Sequence, residues 1–136
     1  MTTAVALFGT GTNTLIITNG AQVYQHAPYV DQAGSLIIVS GEGTVWDMLA
    51  HGGNTENLRL SGTGSKLMIT DGGVMTNCTG FTLADTVSLI ITNGGRLFTD
   101  NDAYWCYGSS SIIVVAGTNA SGNPAVWNSG CNPSFG

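Results

Sequence analysis

Five apolar cassettes return along the chain in one phase, and each runs into a turn built on glycine. They are Thr14-Leu15-Ile16-Ile17-Thr18-Asn19-Gly20, Ser35-Leu36-Ile37-Ile38-Val39-Ser40-Gly41, Lys66-Leu67-Met68-Ile69-Thr70-Asp71-Gly72-Gly73, Ser88-Leu89-Ile90-Ile91-Thr92-Asn93-Gly94-Gly95 and Ser111-Ile112-Ile113-Val114-Val115-Ala116-Gly117. A unit that recurs every twenty-odd residues marks a repeat architecture, in which each unit closes its core only by stacking on the next. Aligned on Leu15, Leu36, Leu67, Leu89 and Ile112, the cassettes lie 21, 31, 22 and 23 residues apart. The long interval points to a loop inserted at 47–56.

Two further registers keep the same phase. One follows each turn, at Val23, Val45, Val74, Leu97 and Val126. The other precedes each new cassette as an alternating pair: Pro28/Val30, Leu58/Leu60, Phe81/Leu83, Tyr104/Cys106 and Pro133/Phe135. Three short strands per repeat predict an all-β fold, a single-domain right-handed parallel β-helix of about five coils over 1–136. Residues 1–13 form a lead-in and 118–136 an irregular last coil. Glycine-rich turns, β-branched cassettes and a period of two exclude a helical reading. The rival is an antiparallel β-sandwich, which the common phase disfavours.

Strand side chains alternate between faces. With Leu15 and its equivalents inward, the outward middle positions are Ile16, Ile37, Met68, Ile90 and Ile113. A contiguous apolar stripe on an outer face predicts a covering surface, and this one is read as a self-association stripe. No capping helix or charged terminal strand is evident in the sequence, and an open β-helix end templates another strand. A homo-oligomer or filament is therefore the expected partner.

Composition narrows the function classes. The chain is 43% hydrophobic and only 8% charged, which disfavours disorder. A net charge of −5 argues against nucleic acid, whose phosphates need a basic face. No apolar run approaches the roughly 18 residues of a membrane span, so membrane insertion is not expected.

Catalysis needs positioned acids, bases or metal ligands. Asp100-Asn101-Asp102 is the densest acidic stretch and reads as a solvated turn rather than a calcium site. Asp71 shares a corner slot with Asn19 and Asn93. His26 and His51 lack partners, and Arg59, Lys66 and Arg96 are scattered. Cys78, Cys106 and Cys131 show no metal-binding spacing. Cys78 and Cys131 fall two coils apart, too far to bridge. Asn77-Cys78-Thr79 and Asn119-Ala120-Ser121 are glycosylation sequons by pattern only. Neither enzyme activity, metal nor cofactor is expected. Trp46, Trp105 and Trp127 read as outward aromatics and are the residues a glycan would stack on, which makes a carbohydrate-binding or adhesive module the second functional reading.

The alternation of cassettes such as Ser88-Leu89-Ile90-Ile91-Thr92-Asn93-Gly94-Gly95 with Val39-Ser40-Gly41-Glu42-Gly43-Thr44-Val45-Trp46 resembles the long β-helix repeats of bacterial surface and secreted proteins, the autotransporter passengers among them. The resemblance spans about Thr12 to Gly130. It implies an extracellular or cell-surface, non-enzymatic stalk, scaffold or adhesin. Two departures stand out: the family carries Thr at the middle of the cassette where this chain has Ile or Met, and its arrays are far longer.

Overall fold

The computed structural model of the chain describes residues 11–25, 29–30, 32–48, 57–78, 80–84, 86–99, 105–106, 110–129 and 134–135. The strands follow one another in threes. The first triplet is β1 (Thr14–Ile17), β2 (Gln22–Tyr24) and β3 (Tyr29–Val30). The second is β4 (Leu36–Ser40), β5 (Val45–Asp47) and β6 (Asn57–Leu60), and the third β7 (Lys66–Thr70), β8 (Val74–Cys78) and β9 (Gly80–Leu83). Then come β10 (Ser88–Thr92), β11 (Arg96–Thr99) and β12 (Trp105–Cys106), and finally β13 (Ile112–Ala116), β14 (Val126–Ser129) and β15 (Ser134–Phe135).

Like members of each triplet pair side by side. The chain therefore forms three five-stranded sheets, ordered β1-β4-β7-β10-β13, β2-β5-β8-β11-β14 and β3-β6-β9-β12-β15. Every strand pairing is parallel. This all-β, parallel connectivity is consistent with a β-solenoid. It excludes the antiparallel sandwich, whose hairpins would pair consecutive strands. The inner faces of all three sheets meet in one hydrophobic core.

The third sheet follows the sequence pattern. Val30, Leu60, Leu83, Cys106 and Phe135 lie in register, and Val30, Leu60 and Leu83 are buried.

The first sheet requires a correction. Leu15 pairs with Ile37, then Leu67, Leu89 and Ile113, so Leu36 and Ile112 lie one residue out of the predicted inward column. Ile37 is fully buried, and neither it nor Ile113 belongs to the outward stripe. The outward row is Ile16, Ile38, Met68, Ile90 and Val114.

Leu36-Ile37-Ile38-Val39 and Ile112-Ile113-Val114-Val115 are unbroken apolar runs, and periodicity cannot say which of two neighbours faces in. The corners decide it. Ser35 Oγ and Ser65 Oγ both donate to the Gln32 carbonyl, at 2.9 and 3.0 Å, and Ser65 Oγ accepts from the Ser35 amide at 3.2 Å. Ser111 Oγ donates to the Ala84 carbonyl at 2.7 Å. These bonds fix where β4, β7 and β13 begin.

The second sheet is corrected in the same way. Its inward row is Val23, Trp46, Met75, Leu97 and Trp127, while Val45, Val74 and Val126 share the outer row with Gln22 and Arg96. Each misread Val adjoins a larger apolar residue. The larger side chain fills the interior, and the β-branched one suits the outer face of a strand. A bulge at Thr76-Asn77, with Asn77 at φ 56°, returns Cys78 to the inside opposite Thr99.

β5 extends to Asp47 and Met48 is buried, so the core continues into the start of the loop predicted at 47–56. Residues 49–56, and the lead-in up to residue 10, lie outside the described residues. Within 118–136, predicted as irregular, β14 and β15 extend the second and third sheets.

Candidate functional site

The turns from the first sheet to the second are tight in the third and fourth triplets, where Asp71-Gly72-Gly73 and Asn93-Gly94-Gly95 make them. Asp71 (φ 52°) and Asn93 (φ 47°) take the left-handed conformation there, and Asn19 (φ 58°) does so in the first triplet. Short side chains that bond locally tolerate that conformation best. Asp71 Oδ2 accepts from Ser40 Oγ at 3.2 Å, and its Oδ1 accepts from Asn93 Nδ2 at 3.4 Å. Asp71 is therefore a corner residue, as its slot in the repeat predicts.

The last triplet breaks this pattern. After β13 the chain runs out and back between Gly117 and Ala125, joined by a Thr118–Pro124 antiparallel bridge and an Ala125 N–H to Gly117 carbonyl bond of 2.8 Å. Asn119 organises the tip. Its Oδ1 accepts from the backbone amides of Ser121 (3.1 Å) and Asn123 (2.9 Å), and its carbonyl accepts from the Gly122 amide at 2.9 Å.

The loop folds back over the older turns. Asn119 Nδ2 and Ser121 Oγ donate to Glu42 Oε1 at 3.2 and 2.9 Å, linking the last repeat to the second. Glycine makes the approach feasible. A Cβ on Gly94 would lie 2.8 Å from the Asn123 carbonyl oxygen and 2.9 Å from Asn119 Cγ.

Between this loop and the second sheet lies a cleft of about 210 Å³, lined by Glu42, Gly43, Gly72, Val74, Gly94, Arg96, Asn119 and Asn123. Arg96 projects from the outer row of β11 beside Val74 and Val126. It is half-buried, and its guanidinium has neither hydrogen bond nor ion pair among the described residues. The cleft thus presents donors at Arg96, an acceptor at Glu42 and amides at the loop, over an apolar patch from Val74. A second cavity lies among core leucines, Met75 and Cys78, and has no room for a water molecule.

The predicted site residues are dispersed. Ile16 is exposed, while Met68 and Ile90 line up with it half-buried. Ile37 and Ile113 belong to the inner row, and Ile38 and Val114 take their places outside. Trp46 is 0% exposed, and its indole N–H is buried without a partner among the described residues, so it is a core residue and not a glycan platform. Trp127 faces inward, packs on the core and donates its Nε1–H to Thr99 Oγ1 at 3.2 Å. The side chain of Trp105 lies outside the described residues, as do His26, His51, Asp100-Asn101-Asp102 and Cys131. Cys78 is buried in the core.

Among the described residues no group of three His, Cys, Asp or Glu could hold a metal ion. No helix among them is long and apolar enough to cross a membrane. Both sequons are engaged in structure: Asn119 as above, and Asn77 through a 2.7 Å bond from its Nδ2 to Asp47 Oδ1.

Sequence reasoning missed the Glu42–Arg96 cleft. Its one local signal was Thr118-Asn119-Ala120-Ser121-Gly122-Asn123-Pro124, a turn-rich insertion where the other repeats have a two- or three-residue corner. No protein-family model matches the chain, and neither the curated proteins nor the solved structures include a match to it.

Proposed function

We propose that the protein is a non-catalytic structural module of an extracellular or cell-surface assembly: a right-handed parallel β-helix of five three-stranded coils that stacks end to end on further copies of itself. One observation carries the reading. Val115 stands in the inward column of the first sheet above Ile91, Ile69 and Val39. Those three are 0% exposed, whereas Val115 is 42% exposed. We read this as an apolar core open where β13 ends the sheet; among the described residues no strand pairs with the outer edge of β13.

The proposed mate for that opening is the β1 edge of a second copy, where Leu15 is half-buried and Ile17 is already buried. The 117–125 loop turns back toward Glu42. Such a contact is heterologous and does not close on itself, so it builds filaments.

The lateral stripe by itself is a small contact. Five strands at about 4.8 Å by five residues at about 3.3 Å give a face of about 400 Å². Stable interfaces bury about 800 Å² per partner. The extracellular placement rests on the weakly charged, Gly-, Thr- and Asn-rich composition and on the resemblance to surface β-helix repeats.

Sedimentation velocity with electron microscopy tests the assembly. The wild type is expected to form rods or oligomers that Val115→Lys abolishes and Ile38→Lys leaves intact. A wild-type monomer at all concentrations, or loss of assembly only in Ile38→Lys, would overturn the end-to-end reading.

A further inference from the structure

We infer that the cleft between the 117–125 loop and the second sheet binds a single sugar-acid ring, with its carboxylate on Arg96 and its hydroxyls on Glu42 and Asn123. The inference is independent of the assembly, since the cleft lies on the side of the molecule and not at the open edge of β13.

The lining dictates what the ligand must carry. Arg96 is donor-only, and its planar fork matches a carboxylate in two parallel bonds. Left half-buried and unpaired in a chain of net charge −5, it is the one cation of this cleft. Glu42 is acceptor-only. Its Oε1 accepts from Asn119 and Ser121, which leaves Oε2 as the oxygen a ligand hydroxyl can donate to. The Asn123 side-chain amide has no partner among the described residues and offers both donor and acceptor.

A ligand satisfying this set brings acceptors to one end and donors to the other. A simple carboxylate satisfies only the first condition and a neutral sugar leaves the guanidinium without its counter-charge. Glu42 and Arg96 belong to the second and fourth triplets, two strand spacings or about 10 Å apart along the stack. A pyranose with its exocyclic carboxylate spans such a gap. Val74 supplies an apolar contact for the ring's C–H face.

Size points the same way. A volume of about 210 Å³ falls below the 300 Å³ or more of pockets that take drug-sized ligands, and accommodates one ring. The site is preorganised: Asn119 fixes the loop, and Gly72 and Gly94 form a floor without side chains.

Titration of the ¹⁵N-labelled protein with galacturonate and glucuronate, against galactose, glucose and acetate, tests the inference. Shifts are expected at the amides of Gly72, Gly94, Asn119 and Asn123, saturating in the millimolar range that a ligand of about 13 heavy atoms reaches. Arg96→Gln should weaken uronate binding roughly tenfold or more, the size of a lost charged hydrogen bond. The rest of its spectrum should be unchanged, since Arg96 lies on an outer row. Asn123→Ala should weaken binding less. Absence of shifts with either uronate at tens of millimolar (about ten times that range) overturns the site. Equal binding of the neutral hexoses, or an Arg96→Gln protein that binds as well as wild type, overturns the carboxylate assignment. Equal binding of acetate overturns the ring.

Discussion

Gly20 and Gly95 both serve turns between the first and second sheets, yet their tolerance differs for physical reasons that only coordinates reveal. Gly20 has φ +74° and open space around it, so Gly20→Ala meets only the left-handed backbone penalty of about 1 kcal/mol. A Cβ on Gly95 would lie 2.2 Å from the Ile69 carbonyl oxygen and 2.6 Å from its carbon, both backbone atoms of the preceding repeat. Gly95→Ala is expected to cost about 3 kcal/mol, read as a lower urea midpoint at unchanged slope. Trp46 is the other informative residue. Its buried, unpartnered N–H carries a desolvation cost of about 1–3 kcal/mol. Trp46→Phe removes that cost while vacating little volume and should leave stability within about 1 kcal/mol of wild type. Trp46→Ala should lose about 3–5 kcal/mol in the same unfolding measurement.

At the scale of elements, β4 tests the register. Ile37 and Ile38 are chemically identical neighbours, and the structure buries the first and leaves the second on the outer row. Ile37→Ala should destabilise by about 2–4 kcal/mol and Ile38→Ala by less than about 1 kcal/mol in denaturant melts. Equal costs would mean that the strand is not held in this register. The 117–125 loop is a second unit. Asn119→Ala removes its bonds to Glu42 and to the Ser121 and Asn123 amides, worth about 1–2 kcal/mol of local stability. Hydrogen exchange at those two amides should quicken roughly tenfold, with the protection of β7 and β10 unchanged.

Among the described residues the repeats lie side by side in a stack, each paired with its neighbours, and one loop reaches from the last repeat back to the second. Stability in such a stack is close to a sum of repeat and interface contributions. A defect in the middle repeats, such as Gly95→Ala, should therefore broaden the unfolding transition. One at the edge, such as Val115→Lys, should change association and leave unfolding nearly intact. Because the proposed end-to-end contact is apolar and backbone-mediated, raising ionic strength from about 0.05 to 0.5 M should not disperse the assemblies. Sedimentation at the two salt concentrations checks this.

What the sequence determined by itself was the repeat and its consequence, parallel sheets built from every third strand. Cassettes in common phase separated by glycine corners have few other ways to bury their apolar faces. The third sheet was legible to the residue because Leu58-Arg59-Leu60 and Phe81-Thr82-Leu83 alternate apolar with polar. Face assignment failed where alternation stopped, in Leu36 to Val39, Ile112 to Val115 and the pairs Val45-Trp46 and Val126-Trp127. There the choice between adjacent apolar residues fell to the serine corners, the bulge at Asn77 and the need to fill the interior with the larger side chain. The stripe, Trp46 and Trp127 shifted with it. The cleft was illegible for a different reason: Glu42 and Ser121 stand 79 residues apart, and no local pattern announces that a loop folds back across two turns made bare by glycine to meet a distant carboxylate. Periodicity carries information about neighbours in the repeat, whereas the site is made of groups brought together only by the stacking of repeats.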